Sequence, residues 1–301
     1  MKKLLAVLAG MALVACQPAD ETSEPAAAEP AAEPALETVA AVDALGAVLD
    51  ARPEEARARY PYRHPRETLE FFGVEPGMTV VEGLRGGGWY TKLLLPYLGA
   101  DGRLIGADYS LEMYPKFPFG TEEFMAKQSN WTTDFVADAA EWGGENGASV
   151  AAFHLGSMPD DIKGTADVVL FVRALHNLAR FEEDGAFLTQ ALADAYASLK
   201  PGGIFGVVQH HARDTMPDEF ADGSRGYLKK AFVVAAAEAA GFELVGESDI
   251  NANPNDQPGA DDFVWRLPPT FATSRDNPEL KAELEAVGES NRMTLKFRKP
   301  D

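Results

Sequence analysis

The chain has 301 residues, with 47 acidic against 27 basic side chains and a formal net charge of −20. That balance argues against docking on nucleic-acid phosphates or on an anionic membrane surface, since like charge repels over most of the molecule. Cys16 is the single cysteine, which excludes intrachain disulfides.

Taken in chain order, Lys2 and Lys3 precede an apolar run from Leu4 to Val14 that is too short to span a bilayer. Residues 1–15 therefore read as a signal peptide. Leu13-Val14-Ala15-Cys16 resembles the lipobox of bacterial lipoproteins. The resemblance implies cleavage before Cys16, lipid attachment there, and a cell-envelope protein anchored in the outer membrane and facing the periplasm. The membrane is then reached only through this anchor. Residues 16–50 are rich in Ala, Pro and Glu, and with eight acids and no base from residue 17 to 50 they should form an extended tether, with part of Leu36–Leu49 transiently helical. Residues 51–301 are enough for one α/β domain.

Within that domain a helix is expected over Glu67–Phe72. A first strand over 78–82 ends in Glu82, and Gly86-Gly87-Gly88 follows four residues later. Tyr90–Leu98 then reads as an amphipathic helix. Strand, glycine loop and helix make a nucleotide site, because residues without side chains let backbone approach a ligand beside free helical N–H groups. A second strand over 103–107 leads into Asp108. Tyr109–Gly147 is the least legible stretch, with a helix expected over Glu122–Ser129. Further strands are expected at 149–153, 166–172, 203–209, 242–248 and 292–298. Their alternation with helices predicts a parallel sheet covered on both faces.

Glu82-x-Leu84-x-Gly86-x-Gly88 resembles motif I of class I S-adenosylmethionine (SAM) methyltransferases, with Leu84 where the first glycine normally lies. Asp108 matches the acid that accepts hydrogen bonds from both ribose hydroxyls in that superfamily, a task suited to a carboxylate. Leu199-Lys200-Pro201-Gly202-Gly203 matches its turn before the fifth strand. Tyr62-Arg63-His64-Pro65, Gly86-Gly87-Gly88-Trp89-Tyr90-Thr91, Trp265-Arg266-Leu267-Pro268-Pro269 and the run Gly288–Phe297 narrow the likeness to a branch of bacterial predicted methyltransferases. The resemblance implies a Rossmann-like sheet of about seven strands with the last antiparallel. It implies SAM as cofactor, with Glu82 toward its ammonium and Gly86, Gly87, Gly88 and Asp108 as binding residues. The G-x-G-x-x-G of a dinucleotide fold is missing, which speaks against an NAD-dependent dehydrogenase.

Methyl transfer is an in-line displacement governed by placement, and it needs a base only when the nucleophile carries a proton. Ligands of such sheets sit at the carboxyl ends of the strands. His176 and Asn177 follow strand four, and His210 ends strand five. His176, with an ordinary pKa near neutrality, is the candidate general base, and a hydrogen-bonded loop histidine is the competing reading. His210 and His211 point to opposite faces and should not share a metal. One of them, with Arg213, could line the substrate side. Arg173 is expected to pair with a carboxylate such as Glu289, in a structural role. Trp89 and Tyr90 either pack or shape the pocket. Asn251–Thr270 is either a lid or a packed loop. The expected activity is methyl transfer to a small molecule, with no nucleic-acid partner. The alternative is a lipid-anchored binding module on a degenerate methyltransferase scaffold.

Overall fold

The computed structural model describes residues 43–301, which form one compact unit. The signal peptide, Cys16 and the tether as far as residue 42 lie outside the described residues. The expected boundary at residue 51 moves to Asp43. Helix α1 (Ala44–Asp50) is capped by the Asp43 side chain, which accepts from the Gly46 N–H at 2.8 Å. Its Leu45 and Leu49, four apart on one face, are buried in the core. Asp43 also accepts from the Arg66 guanidinium, which fastens the start of the unit to the helix over Pro65–Phe72.

The remaining helices among the described residues follow in order. They are α2 (Glu54–Arg57), α3 (Tyr60–Arg63), α4 (Pro65–Phe72), α5 (Thr91–Leu98), α6 (Glu122–Gln128) and α7 (Trp131–Gly143). After them come α8 (Leu175–Arg180), α9 (Glu182–Gly185), α10 (Phe187–Ser198), α11 (Lys230–Ala239) and α12 (Pro278–Val287). The strands are β1 (Thr79–Gly83), β2 (Arg103–Asp108), β3 (Ser149–His154), β4 (Ala166–Val172), β5 (Leu199–His210), β6 (Glu243–Ser248) and β7 (Arg292–Arg298). They form one sheet in the order β3-β2-β1-β4-β5-β7-β6. β1 to β5 run parallel, and β7 is antiparallel to both of its neighbours.

The central strands β1 and β4 are buried on both faces, β1 through Val80 and Val81 and β4 through the run Val168–Phe171. One core lies under α1, α4, α5 and α7, through residues such as Leu45, Phe72, Leu94 and Phe135. The other lies under α8, α10 and α11, through Leu178, Leu192 and Val233. The Lys-Pro-Gly-Gly segment departs from expectation. It is not a separate turn but belongs to β5, where Leu199 pairs with Ala166 and the next partners are Val168 and Ile204. The extra residues are absorbed as a bulge, with Gly202 at φ 73°. Helix α7 was not expected at all.

The chain reverses between β1 and β4, whose neighbours lie on opposite sides. Such a switch point opens a crevice at the carboxyl ends of the strands. No helix among the described residues is long and apolar enough to cross a membrane.

Candidate active site

A cavity of about 680 Å³ opens at that switch point, a size typical of small-molecule sites. Of the residues expected to bind or act, Gly86, Gly87, Asp108, His176, Asn177 and His210 lie in its wall, whereas Glu82 and Gly88 do not. The ends of β2, β4 and β5 and the glycine loop after β1 thus converge on one space.

The loop after β1 is shaped by three left-handed residues, of which Gly88 is one, at φ 72°. Leu84 sits at φ 53° and Gly86 at φ 54°. Leucine therefore adopts the backbone that glycine would supply at the first motif position, at a cost of roughly 1–2 kcal/mol. It is held there by its N–H, which donates to the Ala107 carbonyl at 2.7 Å, and by burial of its side chain in the core. Around Gly86 and Gly87 a Cβ would meet no atom within 4 Å, so both leave backbone open to a ligand. Gly88 is closed off: a Cβ there would lie 3.3 Å from Trp142 and 3.4 Å from the Thr91 hydroxyl.

Glu82 is turned away from the cavity. It is 4 % exposed, and its Oε2 accepts from the Thr91 hydroxyl at 2.6 Å, so it tethers the first turn of α5. Burial pushes its carboxyl up to about 7, and the Thr91 hydrogen bond only partly opposes this. The unfolded chain loses this proton near 4.5, so stability falls as pH rises from there through about 7. Glu82→Gln keeps an acceptor for Thr91 and removes the buried charge. It should raise stability by about 3 kcal/mol at pH 8 and leave it unchanged at pH 4, as thermal melts at the two pH values will show.

Asp108 closes β2 with its carboxylate in the cavity wall. Its Oδ1 accepts from the Tyr109 N–H at 2.8 Å. Burial raises its pKa, while the Tyr109 N–H, the Tyr114 hydroxyl and Arg85 pull the other way. Beside it the cavity is walled by Tyr109, Tyr114, Phe119, Phe124 and Gln128, from the stretch that was least legible. The Gln128 Oε1 is buried without a protein partner. Arg85 lies over the rings of Trp131, Phe135 and Trp142 and joins the same wall. Asn177 donates to the Tyr109 hydroxyl at 2.8 Å, so it positions that ring as well as lining the cavity.

The histidines differ from expectation in their acidity. His176 is pulled down to about 4 by burial and by the nearby Arg173 and Arg180 charges, against a weaker opposing effect of Gln209. His210 is lowered well below its ordinary value, by burial first and then by His176, Arg173, Arg292 and Arg63. Both rings are neutral at pH 7. The Gln209 Nε2 donates to the Gly226 carbonyl at 3.0 Å and faces the His176 Nδ1 at 3.5 Å. A ring so buried is a weak base at neutral pH. His210 Nδ1 pairs with the Ser290 hydroxyl at 2.6 Å.

His211 points to the opposite side of the sheet, toward Lys230 and Glu247, so the two neighbouring histidines are separated as strand geometry requires. Arg213 is not in the cavity wall. It donates to the Gln257 Oε1 at 2.8 Å and to the Pro258 carbonyl at 3.0 Å. Among the described residues, no group of three or more His, Cys, Asp or Glu could hold a metal ion.

Trp89 and Tyr90 divide the two roles. Trp89 lines the cavity and carries the Arg63 guanidinium over its ring at 4.7 Å, whereas Tyr90 is buried in the core. The segment after β6 is packed and also reaches the cavity. Its buried Asp256 accepts from Arg266 at 2.9 Å, from the Tyr227 hydroxyl at 3.0 Å and from the Asn291 N–H at 2.9 Å. That knot sets Trp265, Pro268, Pro269 and Thr270 along one rim.

The expected contact of Arg173 with Glu289 is present at 3.8 Å, but it is one part of a larger cluster. Glu289, 2 % exposed, also pairs with Arg59, with Arg63 at 2.9 Å and with Arg292 at 3.2 Å. Burial alone would raise its carboxyl, and the guanidiniums of Arg292, Arg63, Arg173 and Arg59 outweigh it and hold the pKa below its ordinary value.

The sheet order with its antiparallel β7 is that of a class I methyltransferase-like fold. No protein family is matched by the sequence, and no curated protein resembles it closely enough to register. Solved structures do resemble it. The [4+2]-cyclase SpnF shares 16 % identity over 79 % of this chain and 81 % of its own, with a TM-score of 0.51. A putative methyltransferase in complex with the Trm112 activator of Haloferax volcanii shares 16 % over 86 % and 98 %, with a TM-score of 0.48. A SAM-dependent methyltransferase from Aquifex aeolicus shares 17 % over 69 % and 93 %, with a TM-score of 0.44. At such identities the likeness is one of fold, and SpnF is described as a cyclase, so the reaction has to be argued from the site.

Proposed function

We propose that the chain is a SAM-dependent methyltransferase acting on a small molecule. The observation that carries this reading is the convergence of open Gly86–Gly87 backbone and the Asp108 carboxylate on one cavity at the switch point. Folding does not call for an acid in that wall, since burying it raises its pKa at a cost in stability. SAM, when bound, supplies an electrophilic methyl group on sulfur. Asp108 would hold the ribose hydroxyls, the Gly86–Gly87 backbone would face the amino-acid end, and the aromatic wall with Gln128 would enclose the base. Glu82 would act at one remove, by fixing the first turn of α5 through Thr91.

On the acceptor side, Trp265, Pro268 and Pro269 narrow the rim and exclude water. His176 and His210 orient the acceptor as neutral hydrogen-bonding groups. Neither ring holds a proton readily at neutral pH, so the site suits a nucleophile that arrives with a free lone pair. The lipid anchor at Cys16 and an outer-membrane, periplasm-facing location belong to this proposal and rest on the sequence of residues 1–16 alone.

One observation favours the alternative of a binding module: the Leu84 side chain stands in the cavity wall where the motif has none. A transfer assay separates the two readings. Methyl-labelled SAM and a small-molecule extract should yield labelled product and S-adenosylhomocysteine (SAH) with the native chain and neither with Asp108→Asn. Saturable SAM binding with no SAH formed from any extract would favour the binding module.

A further inference from the structure

Four guanidiniums surround one carboxylate at the β4–β5–β7 end of the cavity. Arg59, Arg63, Arg173 and Arg292 all pair with Glu289, which leaves three positive charges uncompensated in that cluster. This stands out in a chain whose net charge is −20. Of the four arginines, Arg63 and Arg173 line the cavity itself.

Arg173 shows the features of a group held for a ligand. Its backbone is left-handed, at φ 59°, a conformation unfavourable for a residue with a side chain. Its contact with Glu289 is the longest of the four. Its Nε is buried without a hydrogen-bond partner, although its side chain is 27 % exposed toward the cavity. An acceptor in the cavity would meet the exposed part of the guanidinium rather than this enclosed Nε. Planar guanidinium donors match the oxygens of a carboxylate or phosphate two at a time. The His176 ring lies in the same wall.

We propose that the Arg63–Arg173 pair is an anion seat for the methyl acceptor, which therefore carries a carboxylate or phosphate group. The inference rests on the SAM reading for its word "acceptor" and on the arginine geometry for the anion. The seat lies beyond β4, on the far side of β1 from Asp108, so an acceptor anchored there faces a nucleoside held over β1 and β2. The surplus charge would draw an anion into the cavity against the repulsion of the acidic surface.

The test uses the full chain at low ionic strength, titrated calorimetrically with inorganic phosphate, acetate, SAH and 5′-methylthioadenosine. Arg173→Asn is the informative variant. Asparagine tolerates the left-handed backbone, and Glu289 keeps its other three partners. Phosphate or acetate should bind the native chain saturably and Arg173→Asn at least tenfold more weakly, with SAH and methylthioadenosine each changed less than twofold. Arg173→Lys, which keeps charge but not the fork, should recover part of the anion affinity.

Two results would overturn the proposal. One is that neither anion binds the native chain with SAH present. The other is that Arg173→Asn weakens SAH while sparing methylthioadenosine, which lacks the amino-acid carboxylate; the cofactor itself would then fill the seat. Failure of SAH to bind at all, with anion binding still dependent on Arg173, would keep the seat and remove the methyl-transfer reading beneath it.

Discussion

Asp108→Asn is expected to weaken binding of SAM and SAH by about two to three orders of magnitude while leaving the fold as stable as before or slightly more so. Two hydrogen bonds from a diol to an ionised acceptor contribute about 1.5–3 kcal/mol each, and an amide oxygen cannot accept both in the same way. Stability does not suffer because the carboxyl is already pushed up by burial, so removing its charge removes a penalty. The Asn oxygen can still accept from the Tyr109 N–H. Calorimetry and a thermal melt on the same sample read the two effects separately. Unchanged affinity would take Asp108 out of the site, and a large fall in melting temperature would make it a structural residue.

Glu289→Ala should have the largest effect on stability of any single change considered. Glu289, Arg63 and Arg292 are all buried. Breaking a buried ion pair from one side leaves charge without compensation and costs about 3–5 kcal/mol. Here one carboxylate serves four guanidiniums, so the upper part of that range is expected, equivalent to a fall of roughly 10–20 °C in melting temperature for a domain of this size. The pH dependence follows from the same cluster. A carboxyl held below its ordinary value contributes stability that is present above the unfolded pKa of 4.5 and lost as pH falls through the folded one. The native chain should therefore lose stability on acidification in a way that Glu289→Ala does not. Parallel acid titrations of the two would contradict this account of the cluster.

Much of the scaffold was legible because its strands are written as short apolar runs between glycine, proline or acidic breaks. Ala166–Val172 and Arg292–Arg298 coincide with β4 and β7. Helix α7 escaped because its large apolar residues are few and its remaining apolar positions are mostly alanine: Trp131, Phe135 and Ala139 are its buried positions, with threonine, aspartate and glutamate interspersed. The start of the unit escaped for a related reason. Leu45 and Leu49 are two apolar residues in an alanine-rich acidic stretch, and only their packing sites reveal them.

The site divides in the same way. Gly86, Gly87 and Asp108 follow from motif spacing along a contiguous segment, and the fold brings them together. Glu82 has the right position but the wrong direction, since side chains alternate along a strand and the Thr91 hydroxyl claims it. The arginine cluster joins residues 59, 63, 173, 289 and 292, which no local pattern connects. Only the Arg173–Glu289 contact was foreseen. The lowered pKa values of His176 and His210 likewise depend on burial and on guanidiniums distant in sequence. Sequence order cannot display that environment.

The most direct test of the central claim is calorimetric titration of the full chain with SAM. The cavity with its open glycines and Asp108 predicts saturable binding of one SAM per chain, competed by SAH, with a melting temperature raised as binding to the native state alone requires. No heat and no stabilisation at millimolar SAM would contradict it, and the cavity would then belong to a binding protein that keeps a methyltransferase-like fold without its cofactor.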